Sequence, residues 1–335
     1  CIKANAYGHG LREVATILRD EGVDSVTVST LEEAQIVREV GFEGRIVLIN
    51  YVFPERIIEA VDLGVEVMVY DRGILEAYEV NLQKAGKELA LHLVVETGMG
   101  RYGILPEEIG EFLKGFLKSD AFELVGVMSH FSMADSGDDV YVERQKEIFG
   151  KVEYEVVEMF PEVEFHIANS AGTIRGETRK LYRPGLALYG YPPSEAMQKI
   201  LSEKGLKLLP VMTLKSIVSS VKELPKGHCV GYDCTYRLKR DSQVAVVPVG
   251  YADGYDRRLS NCGEVVIKGQ LVPVIGRICM NLIMLDVTDM PDVKITDEVV
   301  LIGKGQDADM IAVKVGTISY EILSGIRESI PKNMR

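Results

Sequence analysis

This sequence lacks two features that nucleic-acid-binding and membrane-spanning proteins need: an excess of basic residues and a long apolar run. Its 38 lysines and arginines face 50 aspartates and glutamates, which gives a formal net charge of −12. Contacts with nucleic-acid phosphates need clustered positive charge, and no apolar run approaches the roughly 20 residues of a membrane span. We therefore expect neither nucleic acid nor a membrane as a partner.

Cysteine is scarce, and its spacing argues against a zinc site. The five cysteines are odd in number, and no pair with zinc-ligand spacing has a matching second pair. They are Cys1, Cys229, Cys234, Cys262 and Cys279. We interpret them as reduced thiols of a cytoplasmic protein without a metal site.

The beginning of the sequence also lacks something. It opens at Cys1 without a methionine, shows no signal peptide, and enters a motif at Lys3. A barrel strand usually needs about five residues, and only two precede Lys3. We expect that an upstream segment completes this strand and that any targeting sequence would lie there.

The first two-thirds of the chain alternate short β-rich runs with longer helical stretches, and 335 residues suffice for about two domains. The predicted strands are 24–29, 45–51, 65–70, 89–97, 122–130, 164–170 and 180–183, with 1–3 as the end of an eighth. Thr30 before Leu31, with Glu33 in the first turn, is typical of a helix N-cap. Eight β/α units predict a (β/α)₈ barrel; an open doubly wound sheet is the alternative.

The pattern changes near residues 206–210. From Met212 onward, β-rich runs follow one another without long helices, punctuated by Gly and Asp. A helical segment near 318–326 follows them. The sequence therefore predicts a barrel domain over residues 1–207 and a mostly β domain over 208–335.

Polar residues collect at the predicted carboxyl ends of the barrel strands, where barrels place their functional groups. They are Lys3, Asn5, Tyr7, His9, Glu96, Arg101, His130, His166, Asn169, Ser170, Arg183, Gly185 and Leu186. The loops after strands seven and eight are a recurrent phosphate site, and a lysine opposite them suits a covalent link to pyridoxal 5′-phosphate.

Each of these residues also has a simpler interpretation. A strand-end lysine is more often a solvated surface residue, and Tyr232, Tyr236, Tyr251 and Tyr255 fit ordinary strand positions. His92 and His228 receive no role. The clustering at one rim, rather than any single residue, favours a cofactor site.

Seven motifs occur in an order that resembles the alanine racemases over essentially the whole chain. They are Lys3-Ala-Asn-Ala-Tyr7-Gly-His9-Gly, Thr97-Gly-Met-Gly-Arg101, Ser129-His130-Phe131, His166-Ile-Ala-Asn169-Ser170, Arg183-Pro-Gly185-Leu186-Ala-Leu-Tyr189-Gly190, Val249-Gly-Tyr251-Ala-Asp253-Gly-Tyr255 and Gly276-Arg-Ile-Cys279-Met280. An eighth, Gly316-Thr-Ile-Ser-Tyr320-Glu, follows near the end. The resemblance implies a barrel that binds pyridoxal 5′-phosphate, followed by a β domain.

The resemblance also implies roles in the interconversion of L-alanine and D-alanine, an isomerase reaction that supplies D-alanine for peptidoglycan. Lys3 would hold the cofactor and act as one base, and Tyr232 would act as the other. In a head-to-tail homodimer, Tyr232 and Met280 would reach the partner's site. The two bases would then serve opposite faces of the substrate.

Further residues match cofactor and substrate contacts of that family. Arg183 would meet the pyridine nitrogen with His166 behind it, and Arg101 would lie near the phenolic oxygen and the substrate carboxylate. The carboxylate would also meet the backbone of Met280. Phosphate contacts are implied for Tyr7, Ser170, Gly185, Leu186 and Tyr320, and further cofactor-site positions for His130 and Asn169.

Three positions depart from the family pattern. Val94 stands where many members have a carbamylated lysine that orients the arginine. Glu96 replaces the usual aspartate, and Asn281 replaces the aspartate after Cys279-Met280. These changes bear on fine positioning and substrate preference.

Three alternatives stay open beside an alanine racemase. A related racemase would act on serine, lysine or several amino acids. A barrel-type decarboxylase using the same cofactor would carry a different C-terminal motif set. A non-enzymatic cofactor-binding barrel would lack the β domain that contains Tyr232.

Overall fold

Short buried strands that alternate with helices build the first part of the chain. The computed structural model describes residues 1–116, 118–177 and 179–334. Two compact units divide it: the first comprises Cys1–Ala6 and Leu11–Leu208, and the second Tyr7–Gly10 and Leu209–Arg335. In both units, most of the core is aliphatic.

Six parallel strands form one sheet in the first unit, paired in chain order from β1 to β6. The strands are β1 Ser25–Val28, β2 Arg45–Leu48, β3 Val65–Val69, β4 Leu89–Val94, β5 Phe122–Met128 and β6 Glu164–His166. Nearly all residues of β2 and β3 are buried, which is typical of a parallel sheet covered on both faces.

Eight right-handed helices are described in this unit. They are α1 Leu11–Asp20, α2 Leu31–Glu39, α3 Ile57–Asp62, α4 Arg72–Ala85, α5 Ile109–Phe116, α6 Val140–Met159, α7 Ser170–Arg175 and α8 Glu195–Glu203. Helix α2 begins as predicted, because the Thr30 side chain accepts a hydrogen bond from the Glu33 amide. Short 3₁₀ turns lie at Pro54–Arg56, Pro106–Glu108 and Leu186–Tyr189.

Two irregular segments close the sheet into a barrel. The Ile2 amide donates to Thr27 at 2.9 Å on one side, and the Cys1 amine donates to Pro184 at 2.8 Å on the other. Arg183 then donates to Ala168, just after β6, at 2.9 Å. The predicted barrel is confirmed, and the open sheet is excluded by this closure.

The first and last predicted strands of that barrel are wrong as regular strands. Residues 180–183 end at Pro184, which has no amide hydrogen to continue a ladder. Lys3 begins a left-handed turn instead of continuing an extended segment. The two segments nevertheless occupy the strand positions that the sequence indicated.

The second unit is mostly β, as predicted. Its strands are β7 Leu214–Ile217, β8 Ser220–Leu224, β9 Cys229–Val230, β10 Tyr236–Arg237, β11 Ser242–Val247, β12 Glu264–Ile267, β13 Gln270–Pro273, β14 Ile283–Asp286 and β15 Glu298–Ile302. They form three antiparallel sheets: β10-β9, β14-β11-β8 and β13-β12-β15-β7.

Two helices follow near the end of the chain, α9 Ala308–Val315 and α10 Ser319–Ser324. The second of these helices was predicted from the sequence, and the first was not. Short 3₁₀ turns lie at Tyr232–Cys234, Tyr251–Asp253 and Arg257–Leu259. Across the described ranges of both units, the helices are too short or too polar to cross a bilayer.

Candidate active site

Lys3 opens a left-handed turn that ends at Tyr7. Ala4, Asn5 and Ala6 all have φ between 52° and 54°, a conformation that costs roughly 1–2 kcal/mol for each residue with a side chain. Two hydrogen bonds in the first unit offset this cost: the Asn5 amide donates to Glu33 at 3.2 Å, and the Asn5 side chain accepts from the Leu11 amide at 2.8 Å. The extended segment in the first strand position of the barrel therefore ends at Lys3, where the left-handed turn begins.

The amine of Lys3 is half-buried among charged neighbours. Burial, and then the positive charge of Arg101, lower its pKa, while Glu33 opposes the change. A lysine with a lowered pKa is a better nucleophile and base near neutral pH. Glu33 therefore both braces the turn and balances the amine, a role that the sequence analysis did not find.

Arg183 is 5% exposed and held at two of its nitrogens. Nη1 donates to Nδ1 of His166, and Nη2 donates to the carbonyl of Ser129 and lies 3.4 Å from Nδ1 of His130. Burial, and then the charge of Arg101, lower the pKa of Arg183 to about 10, so the guanidinium stays charged near neutrality. The described hydrogen bonds of its side chain all use Nη1 or Nη2.

His130 remains neutral beside this cation. Burial and then the neighbouring charge of Arg183 lower its pKa to about 3. Lys3, Arg101 and Arg183 thus place positive charge on a shared region of the first unit. Such an arrangement favours an anionic ligand.

Ser170 joins two loops at the same end of the barrel. Its Oγ accepts hydrogen bonds from the amides of Gly185 at 2.9 Å and Ala187 at 3.2 Å. Leu186 between them is fully buried and begins a 3₁₀ turn. The result is a hydroxyl and several backbone amides gathered in one place, which is the chemistry that phosphate oxygens accept.

Asn169 serves the local fold. Its Oδ1 caps helix α7 by accepting from the Gly172 amide at 3.0 Å, and its Nδ2 donates to the Phe131 carbonyl at 3.2 Å. Both groups of the side chain therefore position Ser170 and the loop that follows β5.

The backbone of Arg101 is positioned by Glu96. The Glu96 carboxylate accepts from the amides of Gly98, Gly100 and Arg101, the last two at 2.9 and 3.4 Å. Val94 instead lies in an apolar cluster with Met68 and Met128. The acid at position 96 thus shapes the loop, and position 94 contributes packing.

A buried polar cluster beside this loop escaped the sequence analysis. Thr97 and Ser129 are 2.7 Å apart at their hydroxyl oxygens, and Gln145 donates to Thr97 at 3.1 Å and to the His130 carbonyl at 3.0 Å. Gln145 comes from helix α6, far along the chain. No motif spacing indicates such a contact.

His92 is a further residue for which no role was predicted from the sequence. It is fully buried, with Nδ1 2.8 Å from Nε2 of His166 and Nε2 2.6 Å from Oε2 of Glu66. Together with Arg183, these residues form a continuous hydrogen-bonded series that we call the Arg183 line: Arg183, His166, His92 and Glu66. The available signal was a lone charged or polar residue within each of two apolar strands, β3 and β4.

Tyr232 belongs to the second unit and is 67% exposed. Its turn has positive φ at Gly231 (72°), Asp233 (59°) and Cys234 (49°), and the Asp233 carboxylate pairs with Arg277 at 2.8 Å. We call residues 229–234 the Tyr232 loop. The backbone angles and the ion pair shape this loop, and the Tyr232 side chain on it is exposed.

A disulfide joins Cys229 and Cys234 across the Tyr232 loop, with 4.9 Å between their Cα atoms. The prediction that all cysteines are reduced thiols is wrong for this pair. Positive backbone angles fold the loop back on itself, so that cysteines five residues apart meet. Linear spacing alone gives no indication of this.

The other predicted site residues of the second unit are Tyr7, Tyr320 and Met280. The rings of Tyr7 and Tyr320 are 6.1 Å apart. Met280 is exposed, and its carbonyl accepts from the Ala252 amide at 2.9 Å. A Cβ on Gly250 would lie 2.2–2.4 Å from the carbonyl oxygens of Cys279 and Met280, so only glycine permits this close approach.

The predicted site residues thus fall into the two units. The first contains Lys3, Arg101, His130, His166, Asn169, Ser170, Arg183, Gly185 and Leu186; the second contains Tyr7, Tyr232, Met280 and Tyr320. Among the described residues, no group of three or more His, Cys, Asp or Glu side chains is arranged to hold a metal ion.

Two family models match the chain: "Alanine racemase, N-terminal domain" over residues 1–193 and "Alanine racemase, C-terminal domain" over residues 211–334. The alanine racemase of Methanococcus maripaludis is 36% identical over 340 residues, covering 99% of this chain and 90% of that protein.

Solved structures give the same result. The alanine racemase of Bacillus anthracis with bound L-Ala-P is 33% identical with a TM-score of 0.89, covering 97% of this chain and 85% of that one. The alanine racemase of Bartonella henselae with covalently bound pyridoxal phosphate is 28% identical with a TM-score of 0.85, covering 97% and 89%.

Proposed function

This chain belongs to the alanine racemase family, and on that basis we propose that it interconverts L-alanine and D-alanine with pyridoxal 5′-phosphate as cofactor. The observation that carries the proposal is the concentration of positive charge around Lys3 in the first unit. Arg101 and burial lower the pKa of its amine, and the buried Arg183 faces the same region. An anionic cofactor linked to Lys3 would balance this charge.

The residues present fit that cofactor. Ser170 with the backbone around Gly185 and Leu186 would hold the phosphate, and Lys3 would form the covalent link. Tyr7 and Tyr320 are proposed as further phosphate contacts. When bound, the cofactor withdraws the electron pair left at the substrate Cα after proton removal.

Arg183 would meet the ring nitrogen of the cofactor. A guanidinium only donates hydrogen bonds, so the ring nitrogen would accept one and remain unprotonated. His130 and His166 would hold Arg183 in place as neutral neighbours. Arg101, whose backbone is bound by Glu96, would then face the phenolic oxygen and the substrate carboxylate.

Two bases would move the proton. Racemisation needs removal of a proton on one face of Cα and delivery on the other. Lys3 would serve one face, because its lowered pKa increases the fraction of its amine that is neutral and able to accept a proton. Tyr232, exposed on its loop, would serve the other face in the partner of a homodimer, with the Met280 backbone at the substrate carboxylate.

Several finer points are proposals as well. We propose alanine as the main substrate; serine, lysine or several amino acids are the alternatives, and Asn281 is the position that bears on this choice. Supply of D-alanine for peptidoglycan and a domain boundary after residue 207 also stay predictions. The proposed cytoplasmic location is supported by the thiols of Cys262 and Cys279 and opposed by the Cys229–Cys234 disulfide.

The direct test is an assay of the purified protein with added pyridoxal 5′-phosphate. We expect L-alanine to give D-alanine, measured by chiral chromatography, with slower conversion of L-serine and L-lysine. Lys3→Ala should abolish both the conversion and the visible absorbance of the lysine-linked cofactor. Faster turnover of serine or lysine would make that amino acid, rather than alanine, the main substrate. No racemisation of any of the three would contradict the proposed function.

A mixing experiment tests the homodimer. Lys3→Ala and Tyr232→Ala chains should be inactive alone and regain part of the activity when mixed, since one of the two sites in a heterodimer would be intact. Lys3→Ala mixed with itself is the control. No recovery despite proven subunit exchange would place Tyr232 outside the partner's site.

A further inference from the structure

The Arg183 line extends beyond the residues that the proposed reaction uses. His166 supports Arg183 directly, but His92 and Glu66 lie one and two steps further inside the barrel. His92 is 0% exposed, and both of its ring nitrogens are engaged. A buried histidine with two engaged nitrogens has a defined proton position, and that position has consequences for its neighbours.

Gly126 allows the line to cross strand β5. His92 on β4 lies in register with Gly126, and Gly126 lies in register with Glu164 on β6. A Cβ on Gly126 would be 2.0 Å from Nδ1 of His92 and 2.4 Å from Cε1. The backbone of Gly126 is outside the left-handed region, so the missing side chain serves the histidine contact rather than a turn.

The two ends of the line impose one direction on its protons. Arg183 only donates, so Nδ1 of His166 must accept and its Nε2 must carry the hydrogen. That hydrogen is donated to Nδ1 of His92, whose Nε2 hydrogen is donated to the Glu66 carboxylate. Both histidines are therefore neutral Nε2–H tautomers, and a cation and a carboxylate at the two ends require the same arrangement.

The charge states agree with this arrangement. Burial lowers the pKa of His166 well below its usual range, and burial also lowers that of His92 against the opposing effect of Glu66. Burial alone would raise the pKa of Glu66, but hydrogen bonds from His92 and Arg45 outweigh it and lower the pKa to about 2. The carboxylate is thus ionised, and both imidazoles are neutral.

Arg45 fixes the carboxylate end of the line. Its Nε donates to Oε1 of Glu66 at 2.8 Å and its Nη2 to Oε2 at 3.0 Å. The same guanidinium also pairs with Glu164. Glu66 is held by two hydrogen bonds, so its Oε2 presents a fixed acceptor to His92.

We infer that Glu66 and His92 are positioning residues for Arg183, because they hold His166 as the tautomer whose Nδ1 accepts a hydrogen bond from Nη1. With both Nη groups fixed, the guanidinium keeps one orientation toward the cofactor ring. This inference rests on the proposed function, in which Arg183 meets the ring nitrogen. Without Glu66, His92 is free to change tautomer, and the hydrogen that it then presents on Nδ1 opposes the one on His166.

Nitrogen NMR of the cofactor-free protein with ¹⁵N-labelled histidine tests the proton positions directly. We expect Nε2–H tautomers for His92 and His166 in the wild type and in Glu66→Gln, whose amide oxygen still accepts. Glu66→Leu removes the acceptor and should shift His92 toward mixed tautomers. His166 should follow in part, because a hydrogen on Nδ1 of His92 then competes with the Arg183 contact that favours its Nε2–H form. A wild-type His166 with its hydrogen on Nδ1, or tautomers unchanged in Glu66→Leu, would overturn the inference.

Kinetics of the cofactor-loaded enzyme test the consequence for Arg183. Glu66→Leu should lower kcat for racemisation about tenfold, as expected for loss of one hydrogen-bond partner of a buried group, with little change in KM. The share of transamination, a side reaction, should rise, because a displaced Arg183 no longer keeps the cofactor ring nitrogen unprotonated. Glu66→Gln should restore most of kcat. Glu164→Gln, which removes a carboxylate from the same Arg45 without touching a histidine, is the matched control and should behave as wild type.

Equal effects in Glu66→Leu and Glu164→Gln would show a general effect on Arg45 and overturn the inference. If Glu66→Leu does not fold, Gly126→Ala displaces the His92 ring with all four side chains of the line present, and the same results are expected. If neither folds, the wild-type tautomers decide. A wild type without racemase activity would refute the proposed function, whereas an active wild type with an unaffected Glu66→Leu would refute only this inference.

Discussion

Arg183 and Tyr232 are two proposed functional side chains with opposite surroundings. Arg183 is buried and lies at one end of the Arg183 line, whose other end is the Glu66 carboxylate. The hydrogen bonds along this line allow only one placement of the histidine protons. Tyr232 is exposed, and backbone angles, an ion pair and a disulfide shape its loop. The comparison shows two ways to fix a functional group: burial fixes a charge state, and loop geometry fixes a position.

The contrast predicts that the energetic cost of substitution is high in the Arg183 line and low at Tyr232. Glu66→Leu should lower the free energy of unfolding by about 3 kcal/mol, because the buried His92 and the partly buried Arg45 lose a charged acceptor. Urea unfolding measures this loss. Glu123→Leu, at an exposed position of β5, should change it little; equal losses in the two variants would contradict the ranking.

Acid should remove part of the same stabilisation. The pKa of Glu66 is lowered in the folded state to about 2, so its contribution is present above the unfolded value near 4.5 and is lost as pH falls toward 2. We expect Glu66→Gln to be less stable than wild type by up to about 3 kcal/mol at pH 6, with the gap closing below pH 4. A gap that does not depend on pH would show that Glu66 has an ordinary pKa.

Reduction should affect the Tyr232 loop by a smaller amount. The disulfide closes a loop between residues five positions apart, and chain-entropy arguments give about 2 kcal/mol for a loop of this length. Cys229→Ser should therefore lower the melting temperature, and reductant should have no further effect on it. Cys262→Ser, at an exposed thiol, is the control; a wild type insensitive to reductant would contradict the expected stabilisation.

Substitution of Tyr232 should give the smallest change in stability and yet a large change in activity. Tyr232→Phe removes one exposed hydroxyl and should alter the free energy of unfolding by less than about 0.5 kcal/mol. Racemisation should nevertheless fall by roughly 10²–10⁴, the usual contribution of a proton-transferring group. Similar activity in Tyr232→Phe and wild type would remove this tyrosine from proton transfer.

The strand order and the two-part organisation were predictable because hydrophobic periodicity and turn residues are local signals. The same holds for the N-cap at Thr30 and for the rim position of Ser170. Local patterns did not predict the side chains that meet across the barrel, such as His92 with Glu66, because such contacts depend on register between strands. The need for glycine at position 126 likewise cannot be recognised until the register of β4, β5 and β6 is known.

The prediction that Cys229 and Cys234 are reduced thiols was wrong for a different reason. Compartment-based interpretation treats cysteines by number and spacing, but Cys229 and Cys234 meet because Gly231 and Asp233 both have positive φ. A non-glycine residue such as Asp233 gives no clear sequence signal for that conformation. Backbone geometry at a functional loop is the least predictable part of this site.

The left-handed turn after Lys3 has a consequence for how the proposed cofactor site forms. An isolated peptide with the Lys3-Ala-Asn-Ala-Tyr7 sequence would not populate three consecutive left-handed residues, because each one is unfavourable by itself. The turn needs the Glu33 carboxylate, which helix α2 delivers, and that carboxylate also accepts from the Ser29 amide at the end of β1. The geometry of the turn at Lys3 therefore depends on the neighbouring β/α unit, so we expect that unit to fold before the proposed covalent link to the cofactor can form.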